Sequence, residues 1–137
     1  MTKFKLDMVK IILLNLVKTF IFSLIISIAI SCIYYAVVIK GNDYSKALPV
    51  IISALFYLNG ILLIMATPAL FIPNPAIWSN PAWKLFLYFA GPLAYIITNF
   101  IAPQPGPNNT IYITAGIVFF ITHAIFYYKL TKKVSGN

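Results

Sequence analysis

The stretch from Leu48 to Ile72 contains no charged residue, and neither does the stretch from Thr19 to Ile39. The hydrocarbon core of a bilayer is about 30 Å thick, and a helix crosses it with about 20 apolar residues. Both runs are long enough to do so. A third begins at Asn80-Pro81, where an Asn side chain can cap the first free amides and Pro at the first helical position sacrifices no hydrogen bond. Apolar character continues from there to about Ala102. A fourth run starts near Thr110, after a Pro- and Asn-rich break, and ends at Lys129, Lys132 and Lys133. Inside lipid every backbone polar group must be satisfied within the protein, so spans of this kind are helices.

The expected fold is therefore an all-α membrane protein: four transmembrane helices in an antiparallel bundle, as a single domain over residues 1–137. The expected spans are about 8–39, 48–72, 81–102 and 110–130. The connections are short and leave no soluble domain to host a separate activity. The first span is too long for a bilayer. Lys3, Asp7, Lys10 and Lys18 fall near one helical face, with Leu6, Val9, Leu13, Leu16 and Val17 opposite. This predicts an amphipathic N-terminal lead-in, lying in the interface or continuing as a tilted helix whose lysines snorkel.

Hydrophobic residues make up 61% of the chain and charged residues 9%, against about 25% charged in soluble domains. The net charge is +8, all ten basic residues are lysines, and the acids are Asp7 and Asp43. Nucleic-acid readers place arginine forks against phosphates and bases, so this pattern argues against nucleic acid as a partner. The lysines sit at the ends of apolar runs, where anionic lipid headgroups are the fitting partner. Lys3, Lys10, Lys18, Lys129, Lys132 and Lys133 are the candidate membrane-surface lysines. With the N-terminus inside, Lys5 and Lys84 join these six, and the exterior holds Lys40 and Lys46. The positive-inside rule then places both termini in the cytoplasm, in a multi-pass protein of a cell membrane, most simply a bacterial inner membrane. Trp78 and Trp83 mark the inner interface; Tyr34, Tyr35, Tyr44 and Tyr112 mark the outer one.

Within the spans, Thr19, Ser23, Ser27 and Ser31 recur every four residues, a stripe of small hydroxyl side chains that Asn15 extends. Small residues let helices approach closely, so this is a helix-interaction face, either against a helix of the same chain or against another protein or copy. Asn59 sits mid-span beside Gly60, and Asn99 lies one heptad after Pro92. Pro92 removes an amide donor and crowds the carbonyl of Tyr88, which predicts a kink. His123 is the sole histidine. Asn59, Asn99 and His123 are the intramembrane polar candidates for function.

A metal needs at least three ligands, and a proton relay needs acids; the spans offer neither, so no cofactor is expected. Cys32 is the single cysteine, which excludes an intramolecular disulfide. Two Asn-Pro-Ala triplets, at Asn74 and Asn80, resemble the aquaporin signature. Aquaporins hold theirs far apart in sequence with a pore arginine, and this chain does not, so the triplets are read as helix caps.

Hydrolytic and transfer chemistry commonly draws on a carboxylate, an oriented histidine or a metal, and the expectation is a non-enzymatic protein. The chain resembles the small four-helix multidrug transporters in length and span count, but lacks their glutamate in the first helix. It is also similar in architecture to immunity proteins against pore-forming bacterial toxins. The expected function is helix–helix interaction in the bilayer, as an accessory subunit or immunity-type protein, with a membrane-protein partner or a second copy. The alternative is a small oligomeric channel or a lipid or small-molecule transporter.

Overall fold

A computed structural model describes residues 3–40, 42–103, 105 and 108–135. Helix α1 spans Lys3–Tyr34 and loosens into a π-helical turn over Tyr35–Ile39. It is followed by α2 (Tyr44–Met65), a 3-10 turn (Thr67–Phe71), the single-turn α3 (Pro75–Trp78), α4 (Pro81–Ile101) and α5 (Asn108–Ser135). No strand occurs among the described residues. Four of the helices are long and apolar enough to cross a membrane, the build of a multi-pass membrane protein.

Where the helices begin and end follows from proline and asparagine chemistry. Pro68 has no N–H to donate to the carbonyl of Ile64, and the α2 spiral stops at Met65. The Thr67 hydroxyl takes that place, donating to the Ile64 carbonyl at 2.7 Å. Asn74 caps α3 by accepting from the Ala76 amide, and Asn80 caps α4 by accepting from the amides of Ala82 and Trp83. Each Asn is followed by a Pro at the first helical position. The two Asn-Pro-Ala triplets are thus caps in the structure. At the far end of α1, Lys40 closes the helix in the left-handed region (φ 57°), its amide bonding the Tyr35 carbonyl.

Helix α1 runs 32 residues without a break, about 48 Å, well beyond a bilayer core. Its inward face is Met8, Ile12, Leu16, Thr19, Ser23, Ser27 and Ser31, all buried. Of the apolar residues expected opposite the charges, Leu16 is buried, while Leu6, Leu13 and Val17 are exposed. By helical periodicity the buried Met8, Ile12 and Leu16 lie opposite Lys3, Asp7, Lys10 and Lys18, and lipid accepts the exposed Leu and Val beside them as readily as a protein core does.

Helix α5 packs against α1, α2 and α4, while α1 also lies on α2, and α4 lies on the 3-10 turn and α2. Phe20 meets Phe56 edge-on at 5.6 Å, Phe22 stacks on Phe126 at 6.2 Å, and Phe89 tilts over Phe120 at 5.3 Å. Two glycines permit the closest approaches. A methyl group at Gly91 would collide with the backbone carbonyl of Met65, and one at Gly116 would lie 2.8 Å from the Tyr95 ring. A buried core from Met8 on α1 to Leu130 on α5 runs through Leu55, Leu62, Tyr88 and Phe119.

Candidate functional site: the polar interior of the bundle

The hydroxyl stripe is enclosed by the chain itself. Thr19, Ser23 and Ser27 are 0% exposed and Ser31 is 5% exposed. Thr19 donates to the carbonyl of Asn15 on its own helix at 2.8 Å. Ser23 donates to the side-chain oxygen of Asn59, which joins α1 to α2. The Asn59 amide nitrogen in turn donates to the Leu55 carbonyl at 2.8 Å. Asn59 thus accepts from α1 and donates within its own helix, filling both ends of its amide. Ser27, one turn along, has no partner for its oxygen among the described residues.

A second polar group forms between α4 and α5. Pro92 sits inside α4, and without its N–H the Tyr88 carbonyl lacks the donor a helix would supply. That carbonyl is 2.7 Å from Nε2 of His123. A carbonyl can only accept, so Nε2 carries the proton and donates. His123 is therefore the replacement donor for the bond that Pro92 removes. Its ring stacks flat on Tyr88, 3.9 Å between centroids and 11° between planes, with Phe89 edge-on at 5.6 Å and Phe119 tilted at 5.7 Å. Nδ1 of His123 and the hydroxyl of Tyr88 are buried without a partner among the described residues.

Asn99 lies nearer the end of α4, where its amide donates to the Tyr95 carbonyl at 2.9 Å. The Tyr95 hydroxyl crosses to α5 and donates to the Tyr112 carbonyl at 3.0 Å. Thr122, buried beside His123 in sequence, bonds its own helix at the Val118 carbonyl. The structure does not join Asn59, Asn99 and His123 into one constellation: each is engaged with a different partner. None of the three lines any of the five principal grooves formed by the described residues, and all five grooves open to the outside. No three His, Cys, Asp or Glu side chains come together among the described residues.

Lys3, Lys10, Lys18, Lys129 and Lys132 are exposed; the side chain of Lys133 lies outside the described set. Lys84 folds over the Trp78 ring at 4.2 Å, drawing α3 to the start of α4. The sequence singles out the Tyr88 carbonyl through Pro92, but not the burial of Tyr88 and Tyr95, the two tyrosines on the inward face of α4. On the outside, the widest of the five grooves, about 740 Å³, runs along α4 past Ala82, Phe86, Ala90, Leu93 and Ala94, with Phe120 of α5 on its wall. No protein family, curated protein or solved structure matches the chain.

Proposed function

We propose that this is a small non-enzymatic integral membrane protein that acts by contact in the plane of the bilayer. It serves as an accessory subunit of a membrane complex or as an immunity-type protein against a pore-forming toxin. The helices form an antiparallel bundle with both termini cytoplasmic. In support, Ser23 meets Asn59 while Ser31 shares a crevice with Ala47 and Ile51, and eight of the ten lysines fall on one side.

Thr19, Ser23, Ser27, Asn59 and His123 are all 0% exposed, which removes the stripe as a contact surface, and the observation that carries the reading is the uncharged external groove along α4. Whatever the chain recognises meets its outer surface. The surface proposed for contact is therefore not the serine stripe, now an internal seam, but the groove on α4. Ala90 and Ala94 stand one turn apart there, and such a small-residue pair admits a partner helix at close range. The groove carries no charge, and a transmembrane helix is the occupant that suits it.

The channel or transporter reading draws on the unpartnered oxygens of Ser27 and Tyr88 and on Nδ1 of His123. Ser27, Tyr88 and His123 line none of the five principal grooves formed by the described residues.

The test is purification in mild detergent followed by native mass spectrometry of the intact assembly. A companion chain, or a second copy, is expected to remain bound to the wild type and to Ser27→Ala. It is expected to be lost from Ala90→Leu/Ala94→Leu with the helical circular dichroism unchanged. A strict monomer, or a companion indifferent to the α4 changes, contradicts the proposal.

A further inference from the structure

Helix α5 carries a second external groove, of about 520 Å³, in which Ile121, Ala124 and Ile125 give way to Tyr128, Lys129 and Lys132. The small side chain of Ala124 between two isoleucines makes the depression. From Phe120 to Lys132 the groove follows the helix for about 18 Å, close to the roughly 15 Å depth of one leaflet's hydrocarbon. Its chemistry changes along that length from purely apolar to aromatic to cationic.

Both ammonium groups stay near the helix surface. Nζ of Lys129 lies 5.8 Å from the Phe126 ring centroid, and Nζ of Lys132 lies 5.9 Å from that of Tyr128. Neither lysine makes an ion pair with a described residue. They stand three residues apart on one face, where like charges repel and a shared anion relieves the repulsion. The chain's two acids are elsewhere, Asp43 between α1 and α2 and Asp7 in the second turn of α1.

The geometry points to a binding site for one anionic phospholipid, its phosphate between Lys129 and Lys132 and an acyl chain lying along Ala124. An amphiphile with its charge at the headgroup level and its apolar part within the leaflet matches both the order and the length of the lining. This site lies on α5, apart from the α4 groove, and stands whether or not a protein partner occupies that groove.

The experiment is native mass spectrometry of the full chain in mild detergent, with dioleoyl-phosphatidylglycerol and dioleoyl-phosphatidylcholine as competing probes. The wild type is expected to retain the anionic lipid in preference to the zwitterionic one. Lys129→Gln/Lys132→Gln should reduce that preference by about fivefold for each lysine lost. Ala124→Phe fills the groove without altering charge and should weaken retention of the anionic lipid. Lys3→Gln/Lys10→Gln removes the same charge from exposed positions on α1 and should leave the preference intact. Two outcomes overturn the site: an equal loss in the α1 pair, which means general surface attraction, and no effect of Ala124→Phe, which means a headgroup contact without a seated chain.

Discussion

A proline within a membrane helix strands the carbonyl four residues before it, and lipid supplies no replacement donor. In this chain two such carbonyls are bonded by side chains, Ile64 by the Thr67 hydroxyl and Tyr88 by the His123 imidazole. The consequence for His123 is measurable. His123→Phe keeps an aromatic ring in the stack but removes the donor, and should lower unfolding stability in detergent by about 1–3 kcal/mol. In a Pro92→Ala background residue 92 regains its N–H, the Tyr88 carbonyl recovers a helical partner, and the same substitution should cost close to nothing. Equal costs in the two backgrounds would show that His123 is held for another reason. The two central serines give a contrast of the same kind. Ser23→Ala breaks the bond to Asn59 and should cost about 0.6–1.7 kcal/mol, the range for hydrogen bonds between membrane helices. Ser27 has no partner to lose, so Ser27→Ala should be neutral or mildly stabilising in the same titration. Pro92 and His123 were each conspicuous in the sequence. Their pairing was not, because 35 residues separate the donor from the acceptor and nothing local records the contact.

At the scale of helices, what could be read was what depends on near neighbours. The Asn80-Pro81 start of α4, the Asn74-Pro75 start of α3 and the absence of charge across the spans are local properties, and they reappear in the structure. The buried residues of the α1 lead-in, Met8, Ile12 and Leu16, lie on the side opposite its charges, as helical periodicity places them. Leu6, Leu13 and Val17 flank that side and stay exposed, since lipid accepts apolar side chains as readily as a protein core does. Spacing points to the same face, since Met8, Ile12 and Leu16 continue the four-residue step of the stripe with one interval of three. The contact of α4 with the end of α2 also rests on a single residue. Gly91→Ala places a methyl group against the Met65 backbone carbonyl, and separating the helices should cost about 1–3 kcal/mol. Gly60 is the control: a methyl group there meets nothing within 4 Å, and Gly60→Ala should match or exceed wild-type stability. A similar loss in both variants would mean that helix propensity, not the close approach, governs the result.

At the scale of the whole molecule, the four-span architecture was legible because the bilayer restricts what an uncharged run can become. The division of polar residues between interior and surface was not, because the stripe has the same spacing whether it faces a sister helix or a foreign one. In the structure it faces inward, with Asn59 and His123 closing the same interior, while the grooves that could receive a helix or a lipid lie outside. The account therefore turns on whether water reaches the stripe. Single cysteines introduced into a Cys32→Ser background and exposed to a water-borne methanethiosulfonate in native membranes answer this directly. Ser27→Cys should stay unmodified until the protein is denatured, while Asn42→Cys in the exposed α1–α2 connection reacts at once. Modification of Ser27→Cys in the folded protein at a rate near that of Asn42→Cys would establish an aqueous path through the bundle and contradict the closed interior.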